Sequence, residues 1–156
     1  MTRQQWLVVI DMPVVFGEAE SDWFTPGYPA IEPAVERLVH ESEGRVVFTR
    51  FIAPEHPCGA WLQCYGLWPF ALVPATDRLY EIMPAFAGSA APVVSRTTFG
   101  KWDDELAAAD AGVAVSVVAD ACAGLSPADH QRALDAMAPY APLIEITSST
   151  AVLAER

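Results

Sequence analysis

An acidic and a basic side chain end two apolar runs of this sequence, and together these residue types can bind an anion or transfer a proton. Asp11 follows five apolar residues, and Arg96 follows a shorter apolar run. In open parallel sheets the ligand crevice lies outside the carboxyl ends of the strands. We therefore predict that Asp11 and Arg96, at neighbouring strand ends, form an anion-binding and proton-transfer site. The alternative is that Asp11 only caps a loop or binds backbone amides.

The three cysteines offer one candidate nucleophile. Cys122 comes after a predicted strand and before a predicted helix, whereas Cys58 and Cys64 have no nearby base in the sequence and are interpreted as packing residues. A cysteine nucleophile needs a lowered pKa. An odd cysteine count without a CxxC pair favours a reducing compartment and argues against structural zinc. His56 and Cys58 lack a third ligand at metal spacing, so neither a metal nor another cofactor is predicted.

Strands and helices alternate along the chain, and they must position these side chains. Apolar runs predict strands at residues 7–10, 45–51, 93–95, 113–120 and 143–147, the first of them buried on both faces. Helices are predicted at residues 33–44, 77–87, 103–111, 127–137 and 150–155. This alternation predicts one α/β domain over residues 1–156, a three-layer α/β/α sandwich with a mostly parallel sheet of about five strands.

Aromatic side chains are concentrated in two segments that show no regular periodicity. Residues 52–74 are rich in proline and aromatic residues, which favours a pocket wall or a surface that faces a partner. The loop at residues 17–28 holds Trp23, which could form a lid over a pocket or, as we favour, a plug at the edge of the core. Candidate ligand-binding residues near the strand ends are Phe16, Trp61, Trp68 and Thr97.

Composition excludes several kinds of partner. The 156 residues carry 20 acidic and nine basic side chains, a net charge of −11, which disfavours nucleic acid and anionic lipid. No run of 18 apolar residues predicts a membrane helix, and no signal-peptide core precedes Asp11, so we expect a cytoplasmic protein. A hydrophobic content of 53% is high for this length, so we expect a homo-oligomer in which a partner covers apolar surface.

Four motifs in order resemble the isochorismatase-like cysteine hydrolases, relatives of isochorismatase and nicotinamidase. They are VVIDM with Asp11, RVVFTRF, SRTTFGKW with Arg96, and VVADACAG with Cys122, and they extend over nearly the whole chain. The resemblance implies an aspartate at the first strand tip, matched by Asp11, a lysine on a later loop, and a nucleophilic cysteine at a helix N-terminus. The family's Lys-Thr-Thr-Phe reads here as Arg96-Thr97-Thr98-Phe99, so arginine stands where the lysine is expected.

The sequence departs from this family pattern in three places. The segment that normally carries the nucleophile is absent, a gap of close to one βα unit or about 30 residues. Arg96 stays protonated and cannot shuttle a proton as a tuned lysine can. The metal ligands that nicotinamidase relatives carry after the second strand are replaced by residues 49–52, Thr-Arg-Phe-Ile, which places the chain nearer the metal-free isochorismatases.

Three functional hypotheses follow from these observations. In the first, a pocket around Asp11, Arg96, Trp61 and Trp68 binds a small polar or carboxylated molecule, or performs acid–base chemistry on it, without covalent hydrolysis. In the second, the chain is a truncated, inactive paralogue that assembles with itself or with a full-length relative. In the third, the strand ending at Asp120 moves into the vacant position, and Cys122 hydrolyses a C–N or enol-ether bond.

Overall fold

The strands pair in two parallel sheets rather than in one. The computed structural model describes residues 5–98 and 114–154, and the predicted helix at residues 103–111 lies outside them. The strands are β1 (Leu7–Ile10), β2 (Val46–Phe51), β3 (Val93–Arg96), β4 (Val115–Val118) and β5 (Ile144–Thr147). One sheet has the order β1-β2-β3, the other contains β4 and β5, and all of these pairings are parallel. The α/β class with parallel strands is confirmed, and the strands divide three and two.

The helix between β1 and β2 begins earlier than the sequence predicts. After the short helix α1 (Val14–Gly17), helix α2 runs over Tyr28–Glu41, with one proline in its first turn and Pro33 inside it. The prediction that this helix starts at Pro33 is therefore wrong. Tyr28, Val35 and Leu38 of the helix are all buried. Their burial offsets the loss of one backbone hydrogen bond at the internal proline.

Two predictions for the segment between β2 and β3 are also wrong. Helix α3 (Ala60–Leu67) forms in the stretch that lacks periodicity. The sequence shows no one-sided pattern there because the apolar residues of this helix lie all around it. The helix predicted at residues 77–87 is replaced by two single 3₁₀ turns, Arg78–Tyr80 and Pro84–Phe86. Between the turns the backbone N–H of Met83 donates to the carbonyl of Met12, 3.0 Å away, so a tertiary contact takes the place of a helical one.

Two apolar clusters pack around the three-stranded sheet. On one face, Val9 and Phe48 pack against α2 together with other buried residues of β2 and the 3₁₀ turns. At the carboxyl end of β2, Phe51 lies in a second cluster with Tyr65 and Tyr80, whose hydroxyl donates to the Ala71 carbonyl. The second cluster lies beside the strand ends where the candidate ligand site was predicted.

The other face of β1 is open to solvent. The side chains of Val8 and Ile10 are 40% and 52% exposed, and the preceding Trp6 is 57% exposed. The prediction that β1 is buried on both faces is therefore wrong. Among the described residues β1 pairs only with β2, so it is an edge strand whose second face lacks a covering layer.

The two-stranded sheet meets the rest of the fold at α2, which contacts the 3₁₀ turn Ala119–Ala121 that follows β4. Ala121, in the 3₁₀ turn that follows β4, packs against the cluster that contains Val9 and Met12. Helix α4 (Pro127–Met137) follows, and the Ser126 hydroxyl caps it by accepting the Asp129 N–H at 3.1 Å, as the sequence predicts. The last element is α5 (Ser149–Ala154). Within the described residues no helix has the length and apolar character needed to cross a membrane.

Candidate ligand site

Asp11 occupies a backbone conformation that side chains rarely adopt. Its φ is +54°, in the left-handed region, where a non-glycine residue costs about 1–2 kcal/mol and aspartate is among the better-tolerated types. Hydrogen bonds hold the chain on both sides, since the Asp11 N–H donates to Thr49 O at 3.1 Å and Met12 O accepts from Met83 N at 3.0 Å. The carboxylate oxygen Oδ1 is buried. The fold therefore imposes one direction on the Asp11 side chain at the end of β1.

Arg96 ends β3, and a whole strand separates it from Asp11. The register pairs Arg96 with Phe51 of β2, and β2 lies between β1 and β3. The expectation that Asp11 and Arg96 end neighbouring strands is therefore wrong, since their strand axes are about 10 Å apart. Arg96 is half-buried, and its Nη1 donates to the carbonyl of Ser95 at 2.8 Å. Thr97 follows at the surface.

Trp23 brings the candidate aromatic residues together. Its ring centroid lies 6.3 Å from that of Phe16, 6.3 Å from Trp68, 5.3 Å from Phe70 and 6.0 Å from Phe51. These packing contacts agree with the interpretation of the loop as a plug on the core. Trp68 is 37% exposed, so one side of the cluster reaches the surface.

Trp61 joins the same aromatic cluster from α3. Its ring stacks on Phe51 at 6.3 Å and on Tyr65 at 5.9 Å. Burial raises the pKa of Tyr65 to about 12, and the neighbouring Tyr80 and Cys64 contribute to the rise, so the Tyr65 phenol stays neutral at physiological pH. The cluster therefore presents an uncharged, aromatic wall beside the carboxyl end of β2.

Arg50 is a site-forming residue that the sequence analysis did not identify. Its Nε donates to the Ser95 hydroxyl at 2.8 Å, and its Nη1 donates to the carbonyl of Tyr80 at 2.8 Å. It thereby fastens the end of β2 to the residue that precedes Arg96. The available signal was a charged residue inside an otherwise apolar strand, because such a residue must find polar partners in the fold.

Cys122 lies beyond the end of β4, outside the three-stranded sheet, and is poorly suited to act as a nucleophile. The residue is exposed and comes directly after the turn that ends β4. Protein atoms that shield the sulfur from water raise the pKa of the Cys122 thiol, and the nearby Asp120 carboxylate raises it further. A reactive cysteine needs the opposite shift.

The residues at the end of β2 do not fit a bound metal ion. Phe51 ends the strand and Ile52 and Ala53 follow it, and none of the three carries a donor atom on its side chain. Over residues 5–98 and 114–154, no three His, Cys, Asp or Glu side chains come together in a metal-binding group.

A cavity beside the first sheet lies away from these strand ends. It has a volume of about 260 Å³ and is lined by Phe48, Glu81, Ile82, Phe86, Ala87, Ser89, Ala91 and Val93. Asp11 and Arg96 are not part of its lining. The candidate site is thus an open edge with one acid, one guanidinium and an aromatic wall, rather than a closed pocket.

Solved structures of isochorismatase-like hydrolases share this fold. An isochorismatase-like hydrolase from Alkaliphilus metalliredigens has a TM-score of 0.75 at 14% identity, over 96% of this chain and 97% of that one. A cysteine hydrolase from Pseudomonas syringae pv. phaseolicola has a TM-score of 0.78 at 17% identity, over 96% and 90%. Nicotinamidase from Bacillus subtilis has a TM-score of 0.65 at 15% identity, over 93% and 99%. No family model and no curated protein sequence matches the chain.

These similarities confirm the fold that the sequence motifs predicted. The chain has the fold of isochorismatase-like hydrolases, and the alignments extend over nearly its full length. At identities of 14–17% the similarity applies to the fold, and the chemistry must be argued from the residues at the strand ends.

Proposed function

We propose that this chain is a non-hydrolytic relative of the isochorismatase-like hydrolases that binds a small carboxylated molecule at the carboxyl edge of the three-stranded sheet, or performs acid–base chemistry on it. The observation that carries the proposal is the left-handed backbone of Asp11, with φ of +54° and hydrogen bonds on both sides. Strain of this kind persists only where the surrounding structure enforces it, and it is concentrated at functional sites.

Asp11 and Arg96 have complementary roles in this proposal. The Arg96 guanidinium holds the carboxylate of the ligand through two parallel hydrogen bonds, a geometry that lysine cannot provide. Asp11 accepts or donates a proton on the opposite side of the ligand. The two strand ends lie about 10 Å apart across β2, a separation that a small carboxylated molecule can span, and the aromatic wall with Trp61 and Trp68 contacts its apolar part.

The absence of a covalent step is supported by Cys122 and Arg96. The raised pKa of Cys122 leaves little thiolate at neutral pH. Arg96 remains protonated and so cannot act as a base. The division of the strands into two sheets and the open face of β1 also support the proposal that one βα unit of the fold is missing between them.

Benzoate tests the site because it combines a carboxylate with a planar apolar ring. Titration followed by tryptophan fluorescence should give saturable binding to the native chain. Arg96→Gln should weaken benzoate binding by at least about tenfold, because it removes a charge-assisted hydrogen-bond pair. Asp11→Asn should retain benzoate binding within a few-fold, because its proposed role is proton transfer rather than anion binding.

Two controls separate the site from general electrostatics. Arg132→Gln removes an arginine of α4 whose side chain is 74% exposed, and it should leave benzoate binding unchanged. Benzamide, the uncharged analogue, should bind the native chain and Arg96→Gln equally. If benzoate fails to saturate, or binds Arg96→Gln as it binds the native chain, the proposed anion site does not exist.

A further inference from the structure

The walls of the cavity beside the first sheet are held in place by hydrogen bonds of the fold. The cavity is lined by Phe48 of β2, Val93 of β3 and six residues of the segment 81–91. In that segment the Ser89 N–H donates to the carbonyl three residues earlier at 3.0 Å, and the Ser89 hydroxyl accepts from the Ala91 N–H at 3.3 Å. A ligand would therefore bind here without the entropy loss of ordering a loop.

The side chains that line this cavity are mostly apolar. Phe48 and Phe86 form an aromatic part of the wall, with their ring centroids 5.8 Å apart. Glu81 carries the only charged side chain among these described lining residues, and Ser89 adds a hydroxyl. An apolar cavity with a few polar groups is the usual composition of a small-molecule site. The sign of the one charge indicates a cationic ligand.

The fold leaves the Glu81 carboxylate available to a ligand. Over residues 5–98 and 114–154 this carboxylate accepts no hydrogen bond and forms no ion pair with another side chain. Arg78 lies close enough to interact with its charge, but both Nη atoms of Arg78 donate to Glu18. Arg50 donates to the backbone carbonyl that precedes Glu81 rather than to the carboxylate. Both arginines therefore have other acceptors.

We propose that this cavity binds a small organic amine, with the ammonium group on the Glu81 carboxylate and the apolar body against Phe48 and Phe86. The charged nitrogen donates a charge-assisted hydrogen bond to Glu81 and a second hydrogen bond to the Ser89 hydroxyl oxygen. An anion would meet the Glu81 charge without a compensating cation among the lining residues.

The size of the cavity and the charge of the chain narrow the ligand further. The volume of about 260 Å³ lies just below the range of about 300–1,000 Å³ that is typical of ligand pockets, so a single ring with one amine suits it. The net charge of −11 raises the local concentration of cations around the chain. The cavity is separate from the strand ends that carry Asp11 and Arg96, so this inference does not depend on the proposed function.

Calorimetric titration with benzylamine, combined with NMR of methyl groups, tests the site. The native chain should bind benzylamine saturably, and the methyl signals of Ile82 and Val93, which line the cavity, should shift. Glu81→Gln should weaken benzylamine binding by at least about tenfold, because it removes the ion pair. Glu36→Gln makes the same charge change at an exposed position of α2 and should leave benzylamine binding unchanged. Benzyl alcohol, the uncharged analogue, should bind the native chain and Glu81→Gln equally.

Two neighbouring alanines test the cavity itself. Ala91→Leu places a larger side chain in the lining and should abolish benzylamine binding, whereas Ala90→Leu, at an exposed position outside the lining, should not. Circular dichroism should show that each variant remains folded, and Ala91→Val replaces the leucine variant if that one does not fold. The proposal is overturned if benzylamine fails to saturate the native chain, if Glu81→Gln or the filled cavity binds it as the native chain does, or if Glu36→Gln weakens binding equally.

Discussion

The two sheets of this molecule are stabilised in different ways. The three-stranded sheet lies between two apolar clusters, and the buried apolar side chains of the described residues all belong to residues 5–98. In residues 114–154 the one buried residue is Ser149, which is polar. Its amide and hydroxyl donate to the Asp120 carboxylate at 2.7 and 2.6 Å. The first sheet is therefore stabilised by apolar packing. The second sheet depends on the hydrogen bonds from Ser149 to Asp120, so its local unfolding should cost less free energy than that of the first sheet.

The largest expected difference between the sheets concerns their buried side chains. Phe51 is fully buried in the first sheet, so Phe51→Ala should lower the free energy of unfolding by about 3–5 kcal/mol. Val117 of β4 is only half-buried, and Val117→Ala should cost about 1 kcal/mol. Urea unfolding measures both, and Phe51→Leu replaces the alanine variant if that one does not fold. Equal losses at the two positions would show that the second sheet has a core of its own.

The polar contact of the second sheet should give an intermediate effect. Ser149→Ala removes the hydroxyl that donates to Asp120 and should lower local stability by about 1–3 kcal/mol. Hydrogen exchange should accelerate at the amides of β4 and β5 and stay unchanged in β1 and β2. Thr150→Ala, at the exposed neighbouring position, is the control and should have no effect. Faster exchange in β1 as well would mean that the two sheets open as one cooperative unit.

The sequence predicts the positions of the strands better than their surroundings. Apolar runs located β1 and β2 within one residue of their observed bounds, and the Ser126–Pro127 pair located the start of α4. Both signals are local. Whether the outer face of β1 is covered depends on a neighbouring element far along the chain, so an apolar run alone could not predict the exposure of Val8 and Ile10.

The sequence predicts only part of the candidate site, because only the local features of that site can be inferred from neighbouring residues. Asp11 and Arg96 could be placed at strand ends because each follows an apolar run. Strand order is a property of the whole sheet, so the position of β2 between them was not available from local patterns. The left-handed backbone of Asp11 depends on hydrogen bonds to Thr49 and on the contact of Met12 with Met83, both distant in sequence. Helix α3 was missed because its apolar residues surround it on all sides.

The smallest expected difference between the sheets is in their response to pH. Burial by itself would raise the pKa of Asp120, but the hydrogen bonds from the Ser149 hydroxyl and amide outweigh it and hold the pKa below the ordinary 3.8. A lowered pKa in the folded state stabilises the protein above the unfolded value, and this contribution is lost as the pH falls through the folded value. Between about pH 6 and about pH 3, hydrogen exchange corrected for its intrinsic rate should therefore become faster in β4 and β5 than in β1 and β2.

Asp120→Asn and Asp135→Asn separate this contact from the acidity of the whole chain. Asp120→Asn should remove the extra pH response of β4 and β5, because an amide does not titrate over this range. Asp135→Asn changes an exposed acid of α4 and should leave that response intact. A chain with a net charge of −11 gains protons on many carboxylates as the pH falls, so both sheets will show some change. If the extra response survives in Asp120→Asn, general charge neutralisation explains it, and the Asp120–Ser149 contact does not link the second sheet to pH.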